Sequence, residues 1–143
     1  MSEGNKLIVR RLLEEAVGEG DLTVVDDLVA PEFVGHASSP DREDHGIQAY
    51  TDFIIALRQA FPDLQISVED QVAEGDKVVS RWRAWGTHQG EYFGVLASGR
   101  RGEITGINID RVIDGKTVEC WGEEDGLGIM QQIGALPAPN RTS

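Results

Sequence analysis

The sequence predicts an α+β domain in which helices pack on one face of a mostly antiparallel β-sheet. Helical hydrophobic patterns fill the first part of the chain, and alternation typical of strands dominates from Leu64 onward. Helices that precede a run of strands favour separate layers over a parallel sheet with crossover helices. The 143 residues fit one domain spanning 1–143, with a loose tail over 137–143.

Three helices are predicted before the strands. Apolar residues at spacings of three and four predict the first over about Asn5–Val17. Asp21 is a favourable N-cap for a short second helix that Pro31 stops, and residues 32–39 follow as a connector. A third pattern predicts a helix over about Gly46–Ala60, closed by Pro62. These helices would cover one face of the sheet.

The remaining chain is predicted as a meander of strands. Alternating apolar and polar residues indicate the strands, and Gly-containing turns separate them. The predicted elements are strands over Leu64–Val72, Lys77–His88, Ile104–Ile113 and Thr117–Asp125, and a helical turn over Leu127–Ile133.

The turn at Asp114–Gly115 decides which side chains of the last two strands share a face. A three-residue loop beginning at Ile113 and a two-residue Asp114–Gly115 loop give opposite parities. The first is favoured because it supplies an acid, Glu119, near an inward Arg111. The apolar face of the Ile104–Ile113 strand should turn toward the helices, which leaves Asn108 and Asp110 on the other face. The predicted inner wall, whose mixed character is typical of a small-molecule pocket, consists of Ile107, Ile109, Arg111, Glu119, Trp121 and Asp125.

Composition excludes several classes of function. The net charge of −12 argues against nucleic-acid binding and against an anionic membrane surface, since both need clustered Lys and Arg. The single cysteine, Cys120, excludes an internal disulfide, and three histidines make a dedicated zinc site unexpected. No apolar run is long enough for a membrane span, and no secretory signal is evident, so a cytoplasmic protein is expected.

Four segments follow one another over nearly the whole chain. They are PEFVGH at Pro31–His36, GTHQGEYFG at Gly86–Gly94, RVIDGKTVECWGEED at Arg111–Asp125 and QIG at Gln132–Gly134. In this order and spacing they resemble the SnoaL-like polyketide cyclase family, within the nuclear transport factor 2-like superfamily. The chain departs from the family's usual pattern at residues 97–100 and at Gly122.

The resemblance implies a cone-shaped, curved sheet wrapped around the N-terminal helices, with a pocket at its wide end. In ring-closing members of the family, the Asp at the position of Asp125 is the acid/base. The alternative for Asp125 is an N-cap of the helix that follows. His36 and His88 are candidate pocket groups that would polarise a carbonyl or hold an enolate oxygen, or else bond nearby backbone carbonyls. No cofactor and no metal are expected.

Six further side chains are candidate binding residues. Two tryptophans would form flat walls for a ring, two aromatic residues of the third helix would face either the core or the pocket, and an Arg–Glu pair would hold the wall or bind a carboxylate. They are Trp121, Trp85, Tyr50, Phe53, Arg111 and Glu119.

The first functional hypothesis is a cofactor-free enzyme that catalyses an intramolecular aldol condensation of a small hydrophobic or polyketide-like carbonyl compound. The second is a non-catalytic small-molecule-binding or dimerisation module on the same fold. Isomerisation or epoxide hydrolysis is a third option. Trp82 and Trp85 have opposite parities on one strand, so one tryptophan is expected to face outward, which predicts a homodimer through the outer sheet faces.

Overall fold

The α+β prediction is confirmed by a computed structural model, which describes residues 2–36 and 43–138. Most of the predicted tail and the end of the predicted connector lie outside the described residues. In chain order the elements are α1 (Ser2–Arg11), continued by a π-helical segment over Leu12–Val17, α2 (Leu22–Leu28), β1 (Val29–His36), β2 (Glu43–His45), α3 (Ile47–Ala60), β3 (Gln65–Glu74), β4 (Lys77–Thr87), β5 (Arg101–Ile113), β6 (Lys116–Glu124) and α4 (Gly126–Gln132).

The described strands form one open sheet in the order β2-β1-β6-β5-β4-β3. Neighbouring strands are antiparallel, except for β1 and β6, which are parallel. Strand β1 occupies much of the region predicted as a connector, so that prediction is wrong over Glu32–His36. Its mixed composition, with a proline and a glycine, hides the strand, although Phe33 is buried in the core.

The N-terminal helix buries the apolar stripe that its sequence predicts. The stripe continues through the π-helical segment and packs against β3 and β4. Its buried members are Val9, Leu12, Leu13, Ala16 and Val17. The predicted N-cap of α2 is also present, because the Asp21 carboxylate accepts a hydrogen bond from the Thr23 amide at 3.1 Å.

The β5–β6 hairpin closes with the two-residue loop, so the prediction of a three-residue loop is wrong. Asp114 and Gly115 both have positive φ angles, 49° and 81°, and Ile113 pairs with Lys116. Positive φ at both central positions is the geometry that matches the twist of an antiparallel pair. The register then shifts by one residue between Arg111 and Val112, and this irregularity places Arg111 opposite Glu119.

The predicted wall residues of β5 and β6 share a face, as expected, but that face is the outer one. Ile107 and Ile109 are 49% and 37% exposed, whereas Asp110 is only 4% exposed. Alternation along a strand shows which residues lie together, but not which group faces the core. The assignment of isoleucines to the inside and Asp110 to the outside is therefore wrong.

Candidate active site

A cavity of about 660 Å³ lies between the helices and the inner face of the sheet. Its wall is predominantly apolar and aromatic. Polar and charged side chains line it on β5 and β6 and also on other segments; they are Asn108, Asp110, Cys120, Glu123 and Glu124, and His36, Asp44, Asp52 and Glu91. Such walls are typical of small-molecule sites. The aromatic side chains that line it include Phe33, Tyr50, Phe53, Phe61, Trp82, Tyr92 and Phe93.

Asp110 is the buried carboxylic acid of this wall. The Thr117 hydroxyl donates a hydrogen bond to its Oδ2 at 3.0 Å, and the Cys120 thiol approaches Oδ1 at 3.7 Å. Burial raises the pKa of Asp110 to about 6, because an apolar environment disfavours the charged form, while these two donors partly offset that effect. The carboxyl group can therefore exchange a proton near neutral pH.

Two neighbours of Asp110 are neutral hydrogen-bond donors. Burial raises the pKa of the Tyr50 hydroxyl well above its usual value, and the charge on Asp110 raises it further. The pKa of the Cys120 thiol is raised for the same two reasons, in the same order. Tyr50 also lines the cavity, with its ring packed edge-on against Phe33 at 5.2 Å between centroids. Of the two positions considered for Tyr50, core and pocket, the side chain takes one on the cavity wall.

A second polar pair lies on the same wall. Trp82 of β4 donates from Nε1 to the Asn108 side-chain oxygen at 3.1 Å, and both residues line the cavity. Asn108 precedes Asp110 by two residues on β5, so the two side chains point to the same side of the sheet.

Aromatic side chains flank the opening of the cavity. Phe53 of α3 is half-exposed and Phe93 is 64% exposed, and both are cavity-lining. Phe93 sits at the tip of a tight turn in which Tyr92 and Val95 exchange backbone hydrogen bonds at 3.0 and 2.9 Å. Its φ of 46° is rarely adopted by a bulky side chain and is a local strain at the mouth.

A second concavity, of about 670 Å³, is lined mainly by polar residues around Arg58. The Arg58 guanidinium donates to backbone carbonyls of Val17, Gly18, Pro62 and Leu64, so its donors are already engaged in holding chain segments together. This surface is therefore structural. Over the described residues, no three His, Cys, Asp or Glu side chains are grouped so as to hold a metal ion.

Comparison with known proteins identifies the fold and the family. The model for the SnoaL-like polyketide cyclases matches residues 7–133. The chain belongs to the SnoaL-like polyketide cyclase family. The resemblance predicted from four sequence segments is thus confirmed, and the cyclase-like character of the protein rests on this membership.

Individual relatives agree with this assignment. The chain is 29% identical over 129 residues to the aklanonic acid methyl ester cyclase DnrD of Streptomyces peucetius, with 89% of this chain and 88% of that protein covered. The structure of a SnoaL-like protein from Jannaschia sp. CCS1 matches with a TM-score of 0.86 and 30% identity, covering 95% of each chain. TsrD from Streptomyces laurentii matches with a TM-score of 0.83 and 32% identity, covering 94% of this chain and 97% of TsrD.

Asp125, which matches the acid/base position of ring-closing SnoaL-like members, lies outside the cavity wall. Asp125 is exposed and is the N-cap of α4, where its Oδ1 accepts a hydrogen bond from the Gly128 amide at 2.8 Å. The predicted inward position of Asp125 is therefore wrong, and the capping alternative describes its contacts. Asp125 follows the last residue of β6, so the alternation of side chains along the strand no longer fixes the direction of its side chain.

His36 is at the edge of the cavity, but its ring is held on the outer side of the sheet. Its Nε2 lies 2.7 Å from a carboxylate oxygen of Glu119, and its ring stacks on Trp121 with 5.1 Å between centroids. Since His36 pairs with Trp121 and Trp121 pairs with Ile109, all three side chains share the exposed face. The predicted pocket wall formed by Trp121 and Glu119 is thus an outer-surface cluster.

His88 is fully buried behind Phe61 and is not among the cavity-lining residues. Its Nδ1 accepts a hydrogen bond from the Ser98 amide at 3.1 Å, which places the ring proton of neutral His88 on Nε2. That Nε2 has no hydrogen-bond partner among the described residues. The pocket position predicted for His88 is therefore not observed, and the side chain anchors the loop that carries Ser98.

Trp85 and Arg111 belong to the outer face of the sheet. The guanidinium of Arg83 lies 4.5 Å from the Trp85 ring centroid, in a cation–π contact. Arg111 bonds Asp76 at 3.1 Å and approaches Glu119 at 3.7 Å. The predicted Arg–Glu pair therefore exists, but it does not line the cavity. Trp85 borders the cavity with part of its surface, while its ring packs under Arg83.

The location of this pair gives a first prediction. Arg111 and Glu119 are 43% and 24% exposed, so Glu119→Ala should lower the unfolding free energy by less than about 1 kcal/mol. If the pair faced inward, removal of one partner would instead lower the unfolding free energy by about 3 kcal/mol or more. Urea unfolding at neutral pH distinguishes the two, and a loss near the larger figure would contradict the outer-face assignment.

Sequence reasoning missed Asp110 and Asn108 because it placed both on the outer face. One available signal was the pair of hydrogen-bond donors on β6 near Asp110. Cys120 lies opposite Asp110 and Thr117 lies close by, and each can donate to a buried carboxyl group. Trp121 cannot reach that group from the other face. Weighing that complementarity against the apolar character of the isoleucines would have favoured the observed orientation.

Proposed function

We propose that this SnoaL-like protein is a cofactor-free cyclase that closes a ring in a hydrophobic, polyketide-like carbonyl compound by intramolecular aldol condensation. Asp110 is the acid/base in this proposal. The observation that carries it is a buried carboxyl, with a pKa raised to about 6, on the wall of an apolar cavity. Carboxyl groups of this kind are suited to proton transfer near neutral pH.

The reaction needs one group that first takes and then returns a proton. The Asp110 carboxylate removes a proton from a carbon activated by adjacent carbonyl groups. The resulting enolate attacks a second carbonyl carbon of the same molecule, which forms a carbon–carbon bond and moves the carbonyl electron pair to oxygen. The protonated Asp110 then gives its proton to that oxygen. Product and substrate are isomers, so no co-reactant is consumed.

Surrounding side chains support the steps. The aromatic wall formed by residues such as Trp82 and Phe61 would exclude water and hold a planar substrate. The neutral Tyr50 hydroxyl can donate a hydrogen bond to a substrate oxygen beside Asp110. The exposed rings of Phe53 and Phe93 would contact the part of the substrate nearest the opening.

The second candidate is a binding module without chemistry. It is favoured by the capping role of Asp125, since the family's acid/base position is engaged in a helix cap rather than directed at a ligand. The volume of the cavity is compatible with either function, because an unfilled space can hold a ligand with or without turnover.

The test separates the two candidates by following binding and ring closure in one sample. Trp82 lines the cavity, so its fluorescence reports ligand binding once the outer-face residues Trp85 and Trp121 are replaced by Phe. The probe is aklanonic acid methyl ester, the compound in the relative's name, with product separated by chromatography. Binding with ring closure supports the cyclase, binding alone supports the module, and the absence of both for this and related polyketide esters contradicts the proposal.

A homodimer through the outer sheet face is part of the same proposal. The outer sides of β5 and β6 carry partly exposed apolar side chains, which are unusual on a solvent-facing sheet. They adjoin arginines and glutamates that could pair across a two-fold axis, since such an axis brings the same patch of both copies together. The apolar members are Ile107, Ile109, Ile113 and Trp121.

We expect Ile109→Asp to convert a dimer to a monomer without unfolding it. The substitution places a charge at the middle of the proposed contact, beside Trp121, where it would be desolvated on association. Light scattering at micromolar concentration should give twice the chain mass for the wild type and the chain mass for the variant. A wild-type monomer would contradict the dimer. The control is Leu7→Asp, which is exposed on α1, on the opposite side of the sheet from the proposed contact.

None of the helices in the described part of the chain is both long and apolar enough to cross a membrane. A cytoplasmic location belongs to the proposal and is tested by fractionation of cells that express the protein.

A further inference from the structure

The orientation of the Asn108 amide is fixed by a contact that permits only one assignment. The indole Nε1 of Trp82 can only donate a hydrogen bond, so the Asn108 atom 3.1 Å away is the oxygen. The amide nitrogen Nδ2 is therefore directed away from the indole. Among the described residues, the one side-chain hydrogen bond found for Asn108 is that accepted by its oxygen, and none from Nδ2 is found.

The indole reaches Asn108 because the residue of β5 that pairs with Trp82 is Gly106, which carries no side chain. A Cβ at Gly106 would overlap an indole ring carbon of Trp82. Trp82 thus crosses β5 over Gly106 and meets Asn108 from that side. Asp110 follows on the other side of Asn108, along the same face of the strand.

The spacing of Asn108 and Asp110 matches one enolisable carbonyl group. Residues two apart on a strand are about 6.5–7 Å apart. In a ketone, the carbonyl oxygen lies about 2.4 Å from the adjacent carbon that loses the proton, as the bond lengths dictate. With a hydrogen bond of about 2.9 Å at the oxygen and a contact of about 3–3.5 Å at the carbon, the path is longer than this spacing. A bent arrangement of the carbonyl group between the two side chains therefore reaches both.

We propose that Asn108 donates from Nδ2 to the carbonyl oxygen of the carbon that Asp110 deprotonates, and so stabilises the enolate. This assignment rests on the proposed function and adds a second catalytic residue to it. It also replaces the role predicted for the two histidines: His36 is bound to Glu119 on the outer side, and His88 does not line the cavity. Toward the enolate oxygen, Trp82 is a positioning residue, since it acts on that atom through the Asn108 amide.

Asn108→Leu is the direct test, because leucine keeps the shape of the side chain and removes the donor. Loss of one oxyanion donor typically lowers kcat by about 10²–10³-fold. With aklanonic acid methyl ester we expect a fall in kcat of that size with a smaller change in KM. Trp82→Phe, which leaves the amide but frees its orientation, should show a smaller fall. A kcat for Asn108→Leu within about threefold of the wild type overturns the assignment, and so does a larger loss for Tyr50→Phe than for Asn108→Leu.

A binding measurement keeps the test independent of turnover. The probes are 2-naphthol, whose oxygen resembles that of an enol, and naphthalene, which has none; both are titrated by calorimetry. We expect Asn108→Leu to weaken 2-naphthol binding by about tenfold or more and to leave naphthalene binding unchanged. Equal weakening of both, or a wild type that does not prefer 2-naphthol, overturns the assignment. Loss of turnover in Asp110→Asn with full activity in Asn108→Leu leaves the cyclase standing and removes only this inference.

Discussion

Replacing Asp110 by Asn is expected to slow ring closure by about 10²–10⁴-fold, the usual contribution of a positioned general acid/base. The amide keeps the shape of the carboxyl group and can still accept a hydrogen bond from Thr117, whose hydroxyl lies 3.0 Å from Asp110 in the wild type. It cannot take a proton from carbon. Ligand affinity, measured by the fluorescence of Trp82, should therefore change far less than kcat.

The matched control is Asp125→Asn. Asparagine is an equally good N-cap, so this variant should keep both the hydrogen bond to Gly128 and the stability of α4. If Asp110 carries the chemistry, Asp125→Asn retains full turnover. The opposite result, loss in Asp125→Asn with full turnover in Asp110→Asn, would return the acid/base role to the position predicted from the family resemblance.

The pH profile provides a second check on the same carboxyl group. Only ionised Asp110 can remove the first proton, so kcat/KM should rise as the pH increases through about 6, the raised pKa of this group. An unperturbed aspartate would place that rise near pH 4. A profile that is flat between about pH 5 and 7 would show that Asp110 does not titrate in the rate-determining step.

Local patterns in the sequence were sufficient for the helices and for the pairing of most strands. The apolar stripe of α1 and the cap at Asp21 act within a few residues, so they can be recognised without knowing the rest of the fold. The four family segments depend on residue order alone. These features needed no information about which surface of the sheet is covered.

The inner and outer faces of β5 could not be assigned in this way. Alternation has a period of two and is symmetric, so it groups Ile107 with Ile109 and Asn108 with Asp110 without saying which pair is inside. The usual choice, isoleucines inside, fails because the helices cover the face that carries Asp110. A proposed dimer contact on the opposite face would account for isoleucines there, and the cavity accounts for polar groups on the inner face.

Relative to its effect near pH 4, the Asp110→Asn substitution should also stabilise the protein at neutral pH. The pKa of Asp110 is about 6 in the folded state against 3.8 for the ordinary side chain. Between these values the folded state binds more protons than the unfolded state, so the contribution of this group to stability is greatest below about pH 4 and is lost as the pH rises to about 6. Asparagine carries no charge at any of these pH values and escapes that loss.

Urea unfolding of wild type and Asp110→Asn between about pH 4 and 7.5 measures this effect. The stability of the variant relative to the wild type should grow by about 2–3 kcal/mol across the range, because each pKa unit corresponds to about 1.4 kcal/mol. Any pH-independent cost of the altered bonds to Thr117 and Cys120 cancels in this difference. Asp63→Asn is the control that should stay flat. Hydrogen bonds from the Thr87 amide and hydroxyl lower the pKa of Asp63 from its ordinary value of 3.8, so its contribution to stability is lost only below this pH range. If the difference in unfolding free energy between the wild type and Asp110→Asn does not change with pH, the Asp110 carboxyl is solvated. The cavity would then lack the buried acid on which the proposed chemistry depends.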